Sequence, residues 1–475
     1  MRDVLVFVCV QPRLSRIPNR SGVLMKALKS IPAAPQGLPF VGHLVPLLRD
    51  PLVFLTSLPA HGDLVRIRLG PFTLIVICHP ELTRQALVDD RTFDKGGLLY
   101  DRAREVMGDG LGTCPHSEHR RLRRLAQPAF HPARFPAYGQ AMTACLDQVT
   151  GSWQTNQTLD VPTEMMSITC KVTAATLFSS ALPPADLSQL LNDIKTVFDG
   201  IYQRMFLIPP LDRAPTRNNR TYRDARTRLH DTLDGIVHQR RTDGSDRGDL
   251  LSALVAAHDA EDAGSGMTDA EISDTIVTFF LAGTETTASA VAWALDLLAR
   301  HPEIERRLHA EVDAVLQGAP ATHADLPRLE LTERIITETL RLRPPGWFFT
   351  RKTTGETRLG GHTLPVGANV VYSPFIIHHR PDLYDNPETF DPDRWDRNRT
   401  QPLRHSFLPF ATGARKCIGD TFAMAQATLA LATISARWRL EHISGRQVRP
   451  ALGTVLRPRE LHMQTRPRTA THTKP

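Results

Sequence analysis

The chain has 475 residues, of which 41% are hydrophobic and 23% charged, ordinary values for a globular protein large enough for one big core or two to three smaller domains. Its net charge of +7 comes without any block of five consecutive cations, and Trp and Tyr number only 5 and 6, which excludes a basic nucleic-acid tract and stacking platforms for single strands. The six cysteines (Cys9, Cys78, Cys114, Cys145, Cys170 and Cys417) lie far apart with no CxxC pair, arguing against a disulfide framework and for a reducing, cytoplasmic setting.

The apolar run Val4 to Val10 is too short to span a bilayer, and its cations follow it instead of preceding it, so neither a membrane anchor nor a signal peptide is expected. Residues 1–30 read as a poorly ordered extension. "IPAAPQGLPFVGHL", from Ile31, is a stiff, turn-rich surface segment. "DLVRIRLGPFTLIVIC" reads as two strands turning at Gly70-Pro71. From about Pro80 to Leu342 the pattern is mostly helical, and "TRLGGHTLPVGANVVYS" returns to short strands. An apolar helix follows Cys417, and residues 466–475 read as a disordered tail. The expectation is a mainly α fold with small sheets near each end, forming one domain over residues 31–465.

Three segments carry chemistry. The helix from Ile272 is apolar around nearly its whole turn, which predicts a core helix. Gly283 interrupts it at a cost of about 1 kcal/mol, directly before Glu285, Thr286 and Thr287. That combination predicts a locally distorted helix with a groove, a hydroxyl and a carboxyl, suited to holding a small polar ligand and delivering protons to it. Glu338 and Arg341 share a helix face in an apolar context, and Arg394 is a further cation available to Glu338; together they predict a buried charge cluster. "FLPFATGARKCIG", residues 407–419, sets Phe410, Gly413, Arg415 and Gly419 around Cys417. A lone cysteine is most often a small buried hydrophobe; the surrounding glycines and cations set this one apart.

In this order the three segments resemble the cytochrome P-450 superfamily, from about Pro32 to Arg457. Phe410-x-x-Gly413-x-Arg415-x-Cys417-x-Gly419 is similar to its haem-ligand signature, Ala282-Gly283-x-Glu285-Thr286-Thr287 to its oxygen-activation helix, and Glu338-x-x-Arg341 with "FDPDRW" to its folding core. The resemblance implies that the Cys417 thiolate is the axial ligand of a haem b iron and pushes electron density towards O–O cleavage. It implies that Arg123, Arg351, Arg415 and His119 meet the haem propionates; the family usually has Trp where this chain has His119. Ala282 and Gly283 would lie over the haem. Glu285 and Thr286 would form the acid–alcohol pair that relays protons during oxygen activation. No flavin or nicotinamide domain is fused to the chain, so electrons would come from NAD(P)H through an external ferredoxin and its reductase, docking on a face with Arg120, Arg121, Arg124, Arg404 and Lys416. A monomer is expected. Leu98, Leu99, Phe279, Phe280, Trp347, Phe348 and Phe349 are the candidate substrate contacts. "FDKGG", "FDGIYQR" and "AGTETTAS" resemble bacterial sesquiterpene oxygenases, which implies a polycyclic hydrocarbon oxidised at an allylic methyl to alcohol and aldehyde. A fatty acid, steroid or macrolide substrate is the alternative, and a non-enzymatic haem sensor or carrier the rival class.

Overall fold

The computed structural model describes residues 28–179, 184–205, 211–259, 266–403, 405–443 and 448–468. Most of the expected N-terminal extension and of the C-terminal tail, and Arg404, lie outside the described residues.

The longest helix organises the rest. In chain order the helices are α1 (Leu44–Arg49), α2 (Pro51–Ser57), α3 (Pro80–Val88), α4 (Gly97–Met107), α5 (His116–Ala126), α6 (Phe135–Gly151), α7 (Val161–Phe178), α8 (Pro184–Met205), α9 (Arg217–Asp243), α10 (Leu250–Val255), α11 (Asp269–Arg300), α12 (Pro302–Leu316), α13 (Glu330–Leu342), α14 (Pro374–His378) and α15 (Asp420–Arg437). Helix α11 starts at a capping box, in which Thr268 Oγ1 accepts from the Glu271 backbone N–H and Glu271 accepts from that of Thr268. It then runs through the core against α7, α13 and α15. Its apolar residues face every side, so neighbours must cover every side. The expected distortion at Gly283 is absent: α11 is continuous, and a Cβ at Gly283 would meet only Thr173, at 3.5 Å, an ordinary contact. A glycine lowers helix propensity without removing a hydrogen bond, so packing on all sides keeps the helix intact.

The strands are β1 (Leu64–Leu69), β2 (Phe72–Ile77), β3 (Phe93–Asp94), β4 (Thr158–Asp160), β5 (Phe349–Thr353), β6 (Thr357–Leu359), β7 (His362–Leu364), β8 (Asn369–Tyr372), β9 (Trp438–His442), β10 (Arg449–Ala451), β11 (Arg457–Arg459) and β12 (His462–Pro467). Five form one sheet in the order β1-β2-β8-β5-β3. The hairpin turns where expected, with Gly70 at φ +57° in a two-residue connection. Strand β12 lies between β4 and β9, pairing Met463 with both Leu159 and His442. This corrects the expected domain end: Arg466 and Pro467 belong to β12, and Arg468 bonds Asp313 at 2.7 Å. At the other end Leu28 is already buried in the core.

Among the described residues no helix is long and apolar enough to cross a membrane.

Candidate active site

Helix α13 fixes the first part of the site. Glu338 and Arg341 are both fully buried and meet at 2.8 and 2.9 Å through two parallel bonds. The remaining Arg341 donors reach the carbonyls of His378 (3.0 Å), Pro387 (2.6 Å) and Thr389 (3.1 Å). Arg394 approaches Glu338 only to 3.5 Å; the shorter contacts come from the Trp395 indole at 2.8 Å and the Asp391 N–H at 3.1 Å. Both oxygens of the carboxylate are thus solvated by protein donors, which a buried charge requires.

His378 connects this cluster to the cysteine segment. Its Nδ1 lies 3.2 Å from the Arg341 carbonyl, and its Nε2 accepts from the Leu408 N–H at 2.8 Å. Burial and the neighbouring cations hold the ring neutral, as the accepting nitrogen requires. Beyond Leu408 the chain turns sharply. Ala411 has φ +56° and Gly413 φ +76°, and a Cβ on Gly413 would sit 2.5 Å from the Leu87 carbonyl. Only glycine fits there. The Cys417 N–H then bonds back to Phe410 O at 3.0 Å, and α15 begins three residues later.

Cys417 exposes its side chain to an interior cavity of about 340 Å³. The opposite wall is the middle of α11, with Ala282, Gly283, Thr286 and Thr287; Ala282 is exposed there within an otherwise buried helix. Thr286 Oγ1 donates to Ala282 O at 2.6 Å, leaving its lone pairs for a donor in the cavity. Phe410 and Gly419 also line it. Burial pushes the Cys417 thiol up, opposed by the Gly419 N–H and by Arg123. Glu285 is not on the wall. It is buried, its Oε1 lies 3.5 Å from Arg457 Nη1, and among the described residues its Oε2 has no hydrogen-bond partner. Burial raises its carboxyl to about 8, against the pull of Arg457.

The far end of the cavity is cationic. Lys95, Tyr100, His119, Arg123, Arg351 and Arg415 all line it. Arg351 is buried between two phenol rings, 5.3 Å from that of Tyr100 and 5.1 Å from that of Tyr372. Lys95 donates to Gly112 O at 2.6 Å; burial, with Arg351 and Arg415 close by, pushes its ammonium down to about 8. His119 is driven to about 3 by burial and by Arg415, Lys95 and Arg123, so it is neutral. Arg123 bonds the Lys416 carbonyl. Arg415 differs from expectation. It is paired with Asp90 and Asp94, both at 2.9 Å, and with Cys114 O at 2.8 Å, so its charge is already matched by protein carboxylates while it lines the cavity.

Of the candidate substrate contacts, Phe279 and Phe349 line the cavity, Phe279 edge-on to Phe130 and Phe349 stacked on Tyr372. Phe280 is instead buried against Phe178, and Trp347 donates to Gly453 O and packs on Phe348. Leu98, Leu99 and Phe348 belong to the core clusters and not to this wall. Thr173, Thr176, Leu177 and Thr278 line it without having been singled out.

Outside, an open groove of about 980 Å³ lies beside the cysteine segment, lined among others by Arg120, Arg123, Arg124, His131, Arg134 and Ala414. His119, Arg123 and Phe130 face both groove and cavity. Several of the expected docking cations already have carboxylate partners: Arg121 with Glu271 (2.5 Å), Arg124 with Asp259 (2.6 Å) and Lys416 with Asp420 (2.5 Å).

A cysteine at the head of a helix, facing a hydroxyl-bearing core helix across a cavity with a cationic end, is the architecture of a haem-thiolate oxygenase. Residues 32–466 match the cytochrome P-450 family, and the chain belongs to it. It is 46% identical over 438 residues to pentalenene oxygenase of Streptomyces avermitilis, covering 92% of this chain and 97% of that one. It is similarly 46% identical over 440 residues to cyclooctatin synthase of Streptomyces melanosporofaciens (92% and 95% covered), and 45% over 414 residues to cyclooctat-9-en-7-ol 5-monooxygenase of the same organism (87% and 90%). A crystal structure of a cytochrome P-450 haem domain matches with a TM-score of 0.83 at 26% identity, over 93% of this chain and 98% of the other. The protein is a cytochrome P-450 monooxygenase, with a haem-thiolate cofactor and electrons supplied by a redox partner.

The cavity residues fit that cofactor. Haem brings two carboxylates. Asp90 and Asp94 are both taken by Arg415, and among the described residues the charges of Lys95, Arg123 and Arg351 have no carboxylate partner. Buried cations without counter-charge are costly, and an incoming dianion offsets that cost.

Proposed function

We propose that this protein inserts an oxygen atom from O2 into a cyclic terpene, a sesquiterpene hydrocarbon of the pentalenene type, oxidising an allylic methyl to alcohol and then aldehyde. The observation that carries this reading is the 46% identity, over nearly the whole chain, to pentalenene oxygenase. An apolar share of the cavity wall, with Leu177, Phe279, Ala290, Ile336 and Phe349, is consistent with it. Such a wall selects by shape and burial, at about 25 cal/mol per Å² of apolar area. The similarity to cyclooctatin synthase and to cyclooctat-9-en-7-ol 5-monooxygenase favours a second reading, a cyclic substrate that already carries a hydroxyl, as cyclooctat-9-en-7-ol does.

When bound, haem b supplies dioxygen binding and reductive O–O cleavage. Cys417 is the residue that holds it, and metal coordination offsets the burial that otherwise keeps the thiol protonated. Lys95, Tyr100, Arg123 and Arg351, which line the cavity with neutral His119, would hold the propionates. Thr286 holds a proton donor in the cavity through its free lone pairs, and Glu285 supplies the proton. Electrons come from NAD(P)H by way of a ferredoxin and its reductase, with the ferredoxin in the groove beside the cysteine segment. The enzyme works as a cytoplasmic monomer.

Carbon monoxide on the reduced protein is expected to give the red-shifted Soret band of thiolate ligation, and Cys417→Ala to lose it; retention would remove Cys417 from the iron. Pentalenene is expected to shift the haem spectrum towards high spin, and turnover to give an oxygenated product with the ring skeleton intact. A spectrum that ignores pentalenene and responds to cyclooctat-9-en-7-ol would select the second reading.

A further inference from the structure

Glu285 sits on the face of α11 that turns from the cavity towards β11, and its surroundings are built from distant parts of the chain. Arg457 begins β11, and the residue before it is pinned to α11: Leu456 O accepts from Ser289 Oγ at 2.6 Å and from Trp293 Nε1 at 3.0 Å. The guanidinium is therefore held at a fixed height beside Glu285. It is also shared. Arg457 Nη1 lies 3.5 Å from Glu285 Oε1, and Nη2 donates to Asp199 Oδ1 on α8 at 2.8 Å. The better bond goes to Asp199, whose side chain is 39% exposed, and the longer one to Glu285, whose side chain is 4% exposed. Glu285 Oε2 is buried and, among the described residues, has no hydrogen-bond partner, which leaves a place for a proton.

We propose that Arg457 is a positioning residue for Glu285 and that Asp199, from the solvent side, competes for the same guanidinium, so that the surface carboxylate sets how much of the buried one is charged. With Asp199 holding the arginine, Glu285 keeps its proton. When Asp199 lets go, the full guanidinium turns to Glu285 and stabilises its anion. Among the described residues, the charged groups that act on Glu285 are Arg457 and Asp199 alone. The surface position of α8 is thereby coupled to the charge of an acid beside Thr286.

The inference rests on the proposed relay role of Glu285 for its consequence, but its test does not use turnover. Difference infrared spectra of the haem-loaded, resting enzyme follow the C=O band of the protonated carboxyl, assigned by its loss in Glu285→Gln. In the unaltered protein the band is expected to titrate near pH 8. Arg457→Gln moves the midpoint up by roughly one to three pH units, since an opposite charge is lost. Asp199→Asn moves it down, and Arg457→Lys returns it close to the original. In the Arg457→Gln background the Asp199→Asn shift shrinks. Midpoints that move in the same direction in the two single variants, or an Asp199→Asn shift undiminished without Arg457, would overturn the proposal. If Arg457→Gln fails to load haem, Asp199→Asn and Arg457→Lys decide it alone. The relay is tested apart, by the ratio of product to hydrogen peroxide in Glu285→Gln: a normal ratio would remove the relay and leave the infrared result standing.

Discussion

Thr286 shows how little a single side chain needs to do. Its hydroxyl proton is committed to Ala282 O, so it can only accept from the cavity. Thr286→Ala removes that acceptor and leaves the helix bond ladder whole. Product formation is expected to fall by on the order of a hundredfold, the usual scale of a lost proton-transfer group, with reductant consumption continuing into hydrogen peroxide. Assaying product, peroxide and NAD(P)H together checks this. Lys95 gives a pH signature. Its ammonium is depressed to about 8, whereas the propionates favour its charged form. Below pH 8 it is already charged and haem binding takes up no proton. Above pH 8 binding must take one up, so haem affinity falls by up to tenfold per pH unit. Titrating apoprotein with haem across pH 7–10 should show this slope, and Lys95→Met should flatten it. Neither Lys95 nor Tyr100 stood out in "FDKGGLLYDR", where only Leu98 and Leu99 were candidate contacts. Arg351 was found, but its enclosure by Tyr100 and Tyr372 depends on α4 folding over the β5–β8 pair, a register that no local pattern encodes. The motif residues were legible because their spacing is local: Phe410 to Gly419 is one continuous turn.

Among the elements, α13 carries the most leverage for its length. It reaches the cysteine segment through His378, so its ion pair supports the site without touching the cavity. Glu338→Ala would strand Arg341 in a fully buried position, at a cost of about 3–5 kcal/mol, and little haem-loaded protein is expected. Trp395→Phe is the finer probe: it removes one 2.8 Å bond to the buried carboxylate and should lower unfolding stability by about 1.5–3 kcal/mol, read from a urea midpoint at unchanged slope. The sequence pointed to Arg394 as the third member because charge is easy to read; the indole N–H of the next residue is the closer donor. Helix α11 was legible in kind, from its all-round apolar pattern. Its first turn was not, although Thr268-x-x-Glu271 is a capping box in plain view, because the apolar run starts only at Ile272.

At the scale of the molecule, the ends are where expectation and structure part. A polar, proline-containing tail reads as solvated, yet its first residues complete the middle strand of a three-stranded sheet. Arg466 and Pro467 pair with Arg439 and Trp438 of β9, and the strand they extend pairs on its other side with β4, more than 300 residues away; neither pairing leaves a trace in a local window. Removing the chain from His462 onward would unpair β4 and β9 together and uncover Leu159 and Leu440. The truncated protein is expected to be poorly soluble and to lose its cooperative melt, which calorimetry would show. The groove offers a different test. Charge reversal at Arg120 and Arg134 should raise the KM for an acidic ferredoxin several-fold and weaken its salt dependence, without changing the substrate-induced spectral shift.

One feature of the architecture bears on how the two sides of the enzyme communicate. His119, Arg123 and Phe130 are a partition one side chain thick, with the surface groove on one side and the cavity on the other. A close-packed partition cannot yield to one occupant without presenting a changed face to the other. Occupancy of the cavity and occupancy of the groove therefore share a single free-energy balance. Whatever factor the filled cavity applies to the affinity of the electron donor, the docked donor must return to the cavity ligand in equal measure.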